Sequence, residues 1–260
     1  MQSLDPKQYG LALHTTTPQL GLAIANLAGD TRSLVLDLGR DLSTHLHQQL
    51  AEFLQPQTWA DLRFIAVAKG PGGFTGTRIG IVTARTLAQQ LEIPLFAIST
   101  LAAVAWSLQG RGDVGSGGRG DSVQSGVQTL GTDLPDAGLE TLQTLGVTAS
   151  PRHHVFFDEE EVIALQMAAQ RGQLFTAIYQ LSDSGLTPLF PDTVLTPEKW
   201  QQTLDSWQTP YQLIDIPAGA QLGASVSSLL KLACIDWQQG KRPHWSEALP
   251  FYGQHPVEEK

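Results

Sequence analysis

Residues 66–98, AVAKGPGGFTGTRIGIVTARTLAQQLEIPLFAI, read as strand, glycine-rich turn, long helix and strand, and this order constrains the fold more than any other stretch of the chain. A short apolar, β-prone run at residues 63–68 meets Gly70-Pro71-Gly72-Gly73. Proline fixes φ there and glycine tolerates positive φ, so the chain must turn. Thr75 is the expected N-cap of the following helix, whose spacing runs over residues 76–91 until Pro94 forbids continuation. Gly76, Gly80, Ala84 and Ala88 recur every four residues on it, a stripe that predicts a closely approaching neighbour.

A turn that feeds a helix N-terminus presents unpaired N–H groups, so Gly70, Pro71, Gly72, Gly73, Phe74, Thr75 and Gly76 form a possible anion or nucleotide loop. The spacing departs from the common versions. A Walker A loop needs Lys and Ser or Thr after its last glycine, where this chain has Thr77 and Arg78. A dinucleotide fingerprint needs a third glycine where Thr75 stands. The alternative is a purely structural strand-to-helix elbow. Arg78, a cation in the first turn of a helix, opposes the helix dipole, which calls either for an anionic partner or for exposure that screens the small cost.

Three apolar, β-prone runs precede this region, at residues 9–14, 20–27 and 31–38, and predict an antiparallel meander. Ser43 is the expected cap of a helix whose stripe is Leu46, Leu50, Phe53 and Leu54 and which stops at Pro56. A strand at residues 94–99 and a helix at 100–108 complete the order βββαβαβα. That is the order of a ribonuclease-H-like or actin-like (ASKHA) lobe, an α/β fold class.

Residues 109–126 hold seven glycines with Ser, Asp and Arg between them and no apolar period, which predicts a flexible insertion. Its two Arg-Gly-Asp tripeptides, at 111–113 and 119–121, fall inside that linker composition. Ordered structure is expected to resume near His154 as a second, smaller α/β lobe. A hairpin around Arg171-Gly172, a helix at 197–207 capped by Thr196 and a helix at 222–239 compose it. The expected division is residues 1–108, an insert and linker at 109–153, and a second lobe at 154–260. No internal repeat is visible in the sequence.

The chain of 260 residues carries a net charge of −9, so its surface as a whole repels polyanions and autonomous nucleic-acid binding is not expected. Cys234 is the sole cysteine, which excludes an intramolecular disulfide and any multi-cysteine zinc site and fits a reducing cytoplasm. No signal peptide or membrane span is read. Catalytic constellations are equally sparse. His45 and His47 lie two apart on a helix and diverge, and His153 and His154 sit at the edge of the linker. Catalytic and metal-ligating residues are therefore expected to be absent, and no cofactor is predicted. Ile79, Val82 and Thr86 lie off the small-residue stripe, so the long helix is apolar on two sides, one for its sheet and the other either for a partner or for the interior of its own domain.

KGPGGFTGTRIG at residues 69–80 resembles the signature loop and helix of the bacterial TsaB family, whose usual form is Gly-Pro-Gly-Ser-Phe-Thr-Gly-x-Arg-x-Gly. LALHTTT at 11–17 resembles the first strand of that family, and PLFAISTL at 94–101 its strand entering a helix. The resemblance covers residues 9–108. It implies a non-catalytic, actin-like-fold subunit of the machinery that makes threonylcarbamoyladenosine in tRNA, with TsaD and TsaE as partners, a possible homodimer, and tRNA met only through the complex. TsaD is the transferase in that scheme and TsaE an ATPase. The implied subunit interface joins the two amphipathic helices through Leu46, Leu50, Phe53, Arg78, Ile79, Val82, Arg85, Thr86 and Gln89.

The chain departs from the pattern at several points. His14 stands where kinases of this fold hold a magnesium-binding Asp, and Thr100 and Val104 stand where TsaD carries a His-x-x-x-His metal pair. Gly73 replaces the signature serine, and the second-lobe Asp-Ala-Arg element appears only as Ala169-Gln170-Arg171. An actin-like-fold phosphotransferase and a metallopeptidase-like enzyme remain as alternatives, the first lacking acidic ligands and the second its histidine pair.

Overall fold

A computed structural model describes residues 7–26, 28–109, 148–150, 161–182 and 184–253. Strands β1 (Tyr9–His14), β2 (Gln19–Asn26) and β3 (Thr31–Asp37) form the antiparallel meander. Helix α1 (Leu42–Leu54), β4 (Leu62–Ala68), α2 (Phe74–Leu91), β5 (Leu95–Ile98) and α3 (Thr100–Trp106) follow in the expected order. The sheet order is β3-β2-β1-β4-β5, with β4 parallel to both β1 and β5. Strands β1 and β4 are central, which is why both read as nearly continuous apolar runs.

Period-two alternation gives this sheet two different faces. Leu11, Leu13, Leu20, Leu22, Ile65 and Val67 pack beneath α1 and α2, whereas Ala12, Ala23, Ala66 and Ala68 face the other way. The alanine face lets a helix from the second half of the chain approach closely. That helix is α5 (Val226–Gln238), whose Val226, Leu229, Leu230 and Ala233 cover it beside α3. Every residue of α3 is buried, between the two sheets, so its sequence TLAAVAW has no polar face to show.

The second sheet contains β6 (Thr148–Ser150), β7 (Glu161–Ala168), β8 (Leu174–Ser182), β9 (Gly185–Leu195) and β10 (Gln212–Ile216), in the order β6-β10-β7-β8-β9. Helix α4 (Pro197–Ser206) covers its outer face through Trp200 and Leu204. The layers are thus α1/α2, first sheet, α3/α5, second sheet, α4.

The meander β7-β8-β9, the helix α4, the strand β10 parallel to β7 and the helix α5 repeat β1-β2-β3, α1, β4 and α2. The sequence shows no such repeat, because topology and burial pattern survive substitutions that erase residue identity. Three local expectations are also corrected. Helix α1 begins at Leu42 with Asp41 before it and no side-chain cap, so Ser43 lies inside the helix. Helix α2 begins at Phe74 after Gly73, so Thr75 does not cap it. Strand β6 falls within the stretch read as linker and pairs antiparallel with β10. By contrast Thr196 caps α4, accepting from the Lys199 N–H at 3.4 Å. The glycine-rich insertion beyond Gln109, both Arg-Gly-Asp tripeptides, His153 and His154 lie outside the described residues.

Candidate functional site

The glycine turn ties three elements together through its backbone. Lys69 N–H donates to Ile98 O at 2.8 Å, and Thr100 N–H donates to Gly70 O at 2.9 Å, which fixes the start of α3. Gly70 has φ of +101°, a conformation open to glycine and costly for other residues. Gly73 N–H donates to Thr16 O at 2.7 Å, and Gly73 O accepts both the Thr77 N–H and the Thr77 hydroxyl. The Gly73 carbonyl thus anchors the first turn of α2 without a hydroxyl cap. Gly70 and Pro71 are buried, and the Gly73 N–H with the Gly70 and Gly73 carbonyls ties β4, α2 and α3 together.

The small-residue stripe finds its neighbour inside the chain. A Cβ on Gly76 would lie 2.1 Å from Thr15 O, and one on Gly80 would lie 2.1 Å from Thr15 Oγ1, while the Thr15 hydroxyl donates to Gly76 O at 2.9 Å. Ala84 and Ala88, farther along the stripe, are fully buried in the core against the first sheet. Gly76→Ala is therefore expected to destabilise the chain by about 1–3 kcal/mol, because α2 must move off backbone that cannot yield. An open helical site would instead gain up to about 1 kcal/mol from the same change. A melting point lower by roughly 3–10 °C, measured by circular dichroism, is the expected result, and a higher one would show the stripe to be unpacked.

The opposite side of α2 faces out. Phe74 is 50% exposed and Val82 61% exposed, with Arg78, Thr86 and Gln89 exposed and Ile79 and Arg85 half-buried around them. The Arg78 guanidinium lies 5.2 Å from the centroid of the Phe74 ring, so the quadrupole of an aromatic face takes the place of the expected carboxylate. Arg85 lies 5.8 Å from the Trp245 ring in the same manner.

Helix α1 does not extend this face as expected. Leu46 and Leu50 are 0% and 2% exposed, because the four-residue spacing Leu42, Leu46, Leu50, Leu54 turns all of them onto the sheet. They cannot meet a partner. Phe53 is half-buried, with Arg32 5.2 Å from its ring centroid. In their place the chain brings up a segment that sequence reasoning passed over: Leu249 is 62% exposed and the Tyr252 ring lies tilted against Phe74, the centroids 4.6 Å apart. The run Ala-Leu-Pro-Phe-Tyr at 248–252, apolar in a polar terminal stretch, is the signal that could have found it.

Little in the seam between the sheets is reactive. His14 is fully buried, its Nε2 3.5 Å from Thr16 Oγ1, which is in turn 3.2 Å from Thr100 Oγ1. Burial lowers its pKa from 6.5 to about 4, so the imidazole is neutral at physiological pH. Thr100 and Val104 are also fully buried, and among the described residues no three His, Cys, Asp or Glu side chains cluster as metal ligands. Burial pushes the Cys234 thiol up to about 11, which suits a packed residue. Within the second sheet the Tyr179 hydroxyl of β8 donates to Asp192 Oδ1 of β9 at 2.5 Å. Burial raises the Asp192 carboxyl, against the Ser99 and Tyr179 hydroxyls and the charge of Lys69. Ala169-Gln170-Arg171 belongs to the solvent-facing turn between β7 and β8. A cleft of 590 Å³ lies along β5, lined by residues 95–98, Asp236, and residues 241–243 and 247–248.

The sequence model of the family described as TsaD: tRNA N6-adenosine threonylcarbamoyltransferase matches residues 40–187. The tRNA threonylcarbamoyladenosine biosynthesis protein TsaB of Bacillus subtilis (strain 168) is 28% identical over 202 residues, which is 77% of this chain and 67% of that protein. Among solved structures, an uncharacterized protein from Pseudomonas aeruginosa, described as similar to the peptidase YEAZ, superposes with a TM-score of 0.63 at 21% identity, over 95% of this chain and 100% of that one. YeaZ from Pseudomonas aeruginosa gives 0.60 at 20% identity, over 94% and 99%. Both share the two-sheet fold. No described helix is long and apolar enough to cross a membrane.

Proposed function

The chain belongs to the TsaB family, within the broader family of the tRNA N6-adenosine threonylcarbamoyltransferase TsaD, and we propose that it serves tRNA threonylcarbamoyladenosine biosynthesis as a non-catalytic scaffold that docks a TsaD-type subunit on the outer face of α2. The observation that carries this reading is the exposed face itself. Phe74, Ile79 and Val82 offer apolar surface, and Arg78, Arg85, Thr86 and Gln89 give it a polar rim. Apolar centres with arginine at their edge are the usual composition of protein interfaces.

The two-lobed body holds that face rigid. In this reading the first lobe is residues 1–108 and the second begins no later than β6. A TsaE-type ATPase joins the assembly, and tRNA is met through it, since a net charge of −9 disfavours a direct hold on a polyanion. Mixing the purified chain with a TsaD-type subunit is expected to give a co-eluting complex in size exclusion. If the two elute separately at micromolar concentration, or if the chain self-associates through α2 and excludes the subunit, the docking role fails.

The absence of catalysis is supported by a neutral, buried His14 where a magnesium carboxylate would be needed, and by Thr100 and Val104 in place of a histidine pair. The isolated chain is expected neither to turn over ATP above background nor to retain stoichiometric zinc. Robust turnover that disappears on His14→Ala would overturn this and revive the phosphotransferase alternative.

A further inference from the structure

Beyond α5 the chain runs back alongside α2 and then into the seam between the two sheets. Leu95 N–H donates to Pro243 O, Trp245 lies under Arg85, and Ala248 is buried in the core beneath α1 and α2. The next residues touch both halves of the molecule. Phe251 N–H donates to Lys69 O at 2.7 Å, and the Phe251 carbonyl crowds Gly70 so closely that a Cβ there would lie 2.5 Å from it. On the other side the Phe251 ring lies 6.3 Å from the Phe175 ring of β8. A Cβ on Gly253, where φ is +66°, would lie 2.1 Å from Val194 of β9.

We propose that residues 250–253 form a clasp across the seam, locking the glycine turn of the first sheet to β8 and β9 of the second, and that a partner docked on α2 tightens it. The second clause rests on the docking role given above. Tyr252 is the link, because its ring lies tilted against the exposed Phe74 at the start of α2 while its neighbours on either side hold the seam. Burying Phe74 under a partner removes the freedom of Tyr252 to leave, and a contact that orders one end of a short segment lowers the cost of ordering the other. The docking face and the second sheet are thereby coupled without any direct contact between them.

Hydrogen exchange on the full-length chain separates the two claims. In the free chain, Phe251→Ala is expected to speed exchange of the amides around Phe175 and Val194 about tenfold or more, while the β1–β2 ladder keeps its protection and reports that the fold is intact. Unchanged exchange at Phe175 and Val194 would overturn the clasp. In complex with a TsaD-type subunit, the wild-type chain is expected to gain protection both on α2 and around Phe175 and Val194. The Tyr252→Ala chain should gain it on α2 alone. If Tyr252→Ala keeps the distant protection, or the wild type never shows it, the coupling is wrong. A complex that leaves α2 itself unprotected overturns the docking role and the coupling together, with the Phe251→Ala result still deciding the clasp.

Discussion

Val82→Glu is expected to weaken binding of a TsaD-type subunit by two orders of magnitude or more and to leave the chain folded. In the free chain Val82 is 61% exposed, on the outer face of α2 between Arg78 and Thr86. A surface change of this kind shifts stability by no more than about 0.5 kcal/mol. Arg78 and Arg85, one turn to either side, would if anything favour the new carboxylate by about 0.2–0.5 kcal/mol. Docking reverses the balance. The carboxylate must then leave water for an apolar interface while both arginines are engaged over the rings of Phe74 and Trp245. An imperfectly paired buried charge costs about 3–5 kcal/mol, and each 1.4 kcal/mol is about a tenfold loss of affinity. Calorimetric titration measures the loss, and a thermal melt of the variant alone checks the fold. An unfolded variant would assign Val82 to the core, and a folded one with unchanged affinity would move the interface elsewhere.

The second large effect is on stability against pH and comes from His14. Its folded-state pKa is lowered by burial to about 4, against 6.5 for an ordinary histidine. Between those values the unfolded chain binds a proton that the folded chain refuses, so acidification favours unfolding. The stability present above about pH 6.5 is lost progressively until the folded imidazole itself takes a proton near about pH 4, a total of about 3 kcal/mol from this one group. Asp192 acts with the opposite sign. Its raised carboxyl contributes stability at low pH that is lost as pH rises through its folded pKa. The His14→Gln chain should therefore keep the Asp192 trend and the ordinary acid response while losing the His14 slope. Urea midpoints of the two chains between about pH 7 and about pH 4 measure the difference. Parallel profiles would mean that His14 takes up its proton over the same pH range folded as unfolded, and hence that some anion or water reaches it.

Much of the first lobe was legible because its signals are local. The order βββαβαβα, the glycine turn and the stop before Pro94 depend on a few adjacent residues whose allowed φ and hydrogen-bonding capacity decide the outcome wherever they stand. The hairpin at Arg171-Gly172 and the Thr196 cap were readable for the same reason. Helix starts at Leu42 and Phe74 were less so, since a hydroxyl in the right place caps a helix only if the tertiary structure leaves the first turn in need of it. At α2 the Gly73 carbonyl had already been positioned by Thr16.

What lay beyond the sequence was every decision about which face meets what. Period-four spacing showed that Leu46 and Leu50 share a face with one another, and likewise Gly76 and Gly80, but spacing is silent on whether the neighbour is this chain's own sheet or another protein. Tertiary packing assigned both stripes to the interior, and left the Phe74 to Gln89 side of α2 in solvent. The structural repeat of the two lobes, the packing of α5 on the first sheet, and the return of Phe251 and Tyr252 to the glycine turn all join residues far apart in the chain. Sequence by itself determined the order of elements in the first lobe and the family, because turns, caps and periodicities act over a few residues. Which of the candidate interface residues stay exposed was decided by the tertiary structure alone, because exposure is a property of the surfaces left over once all the elements have packed.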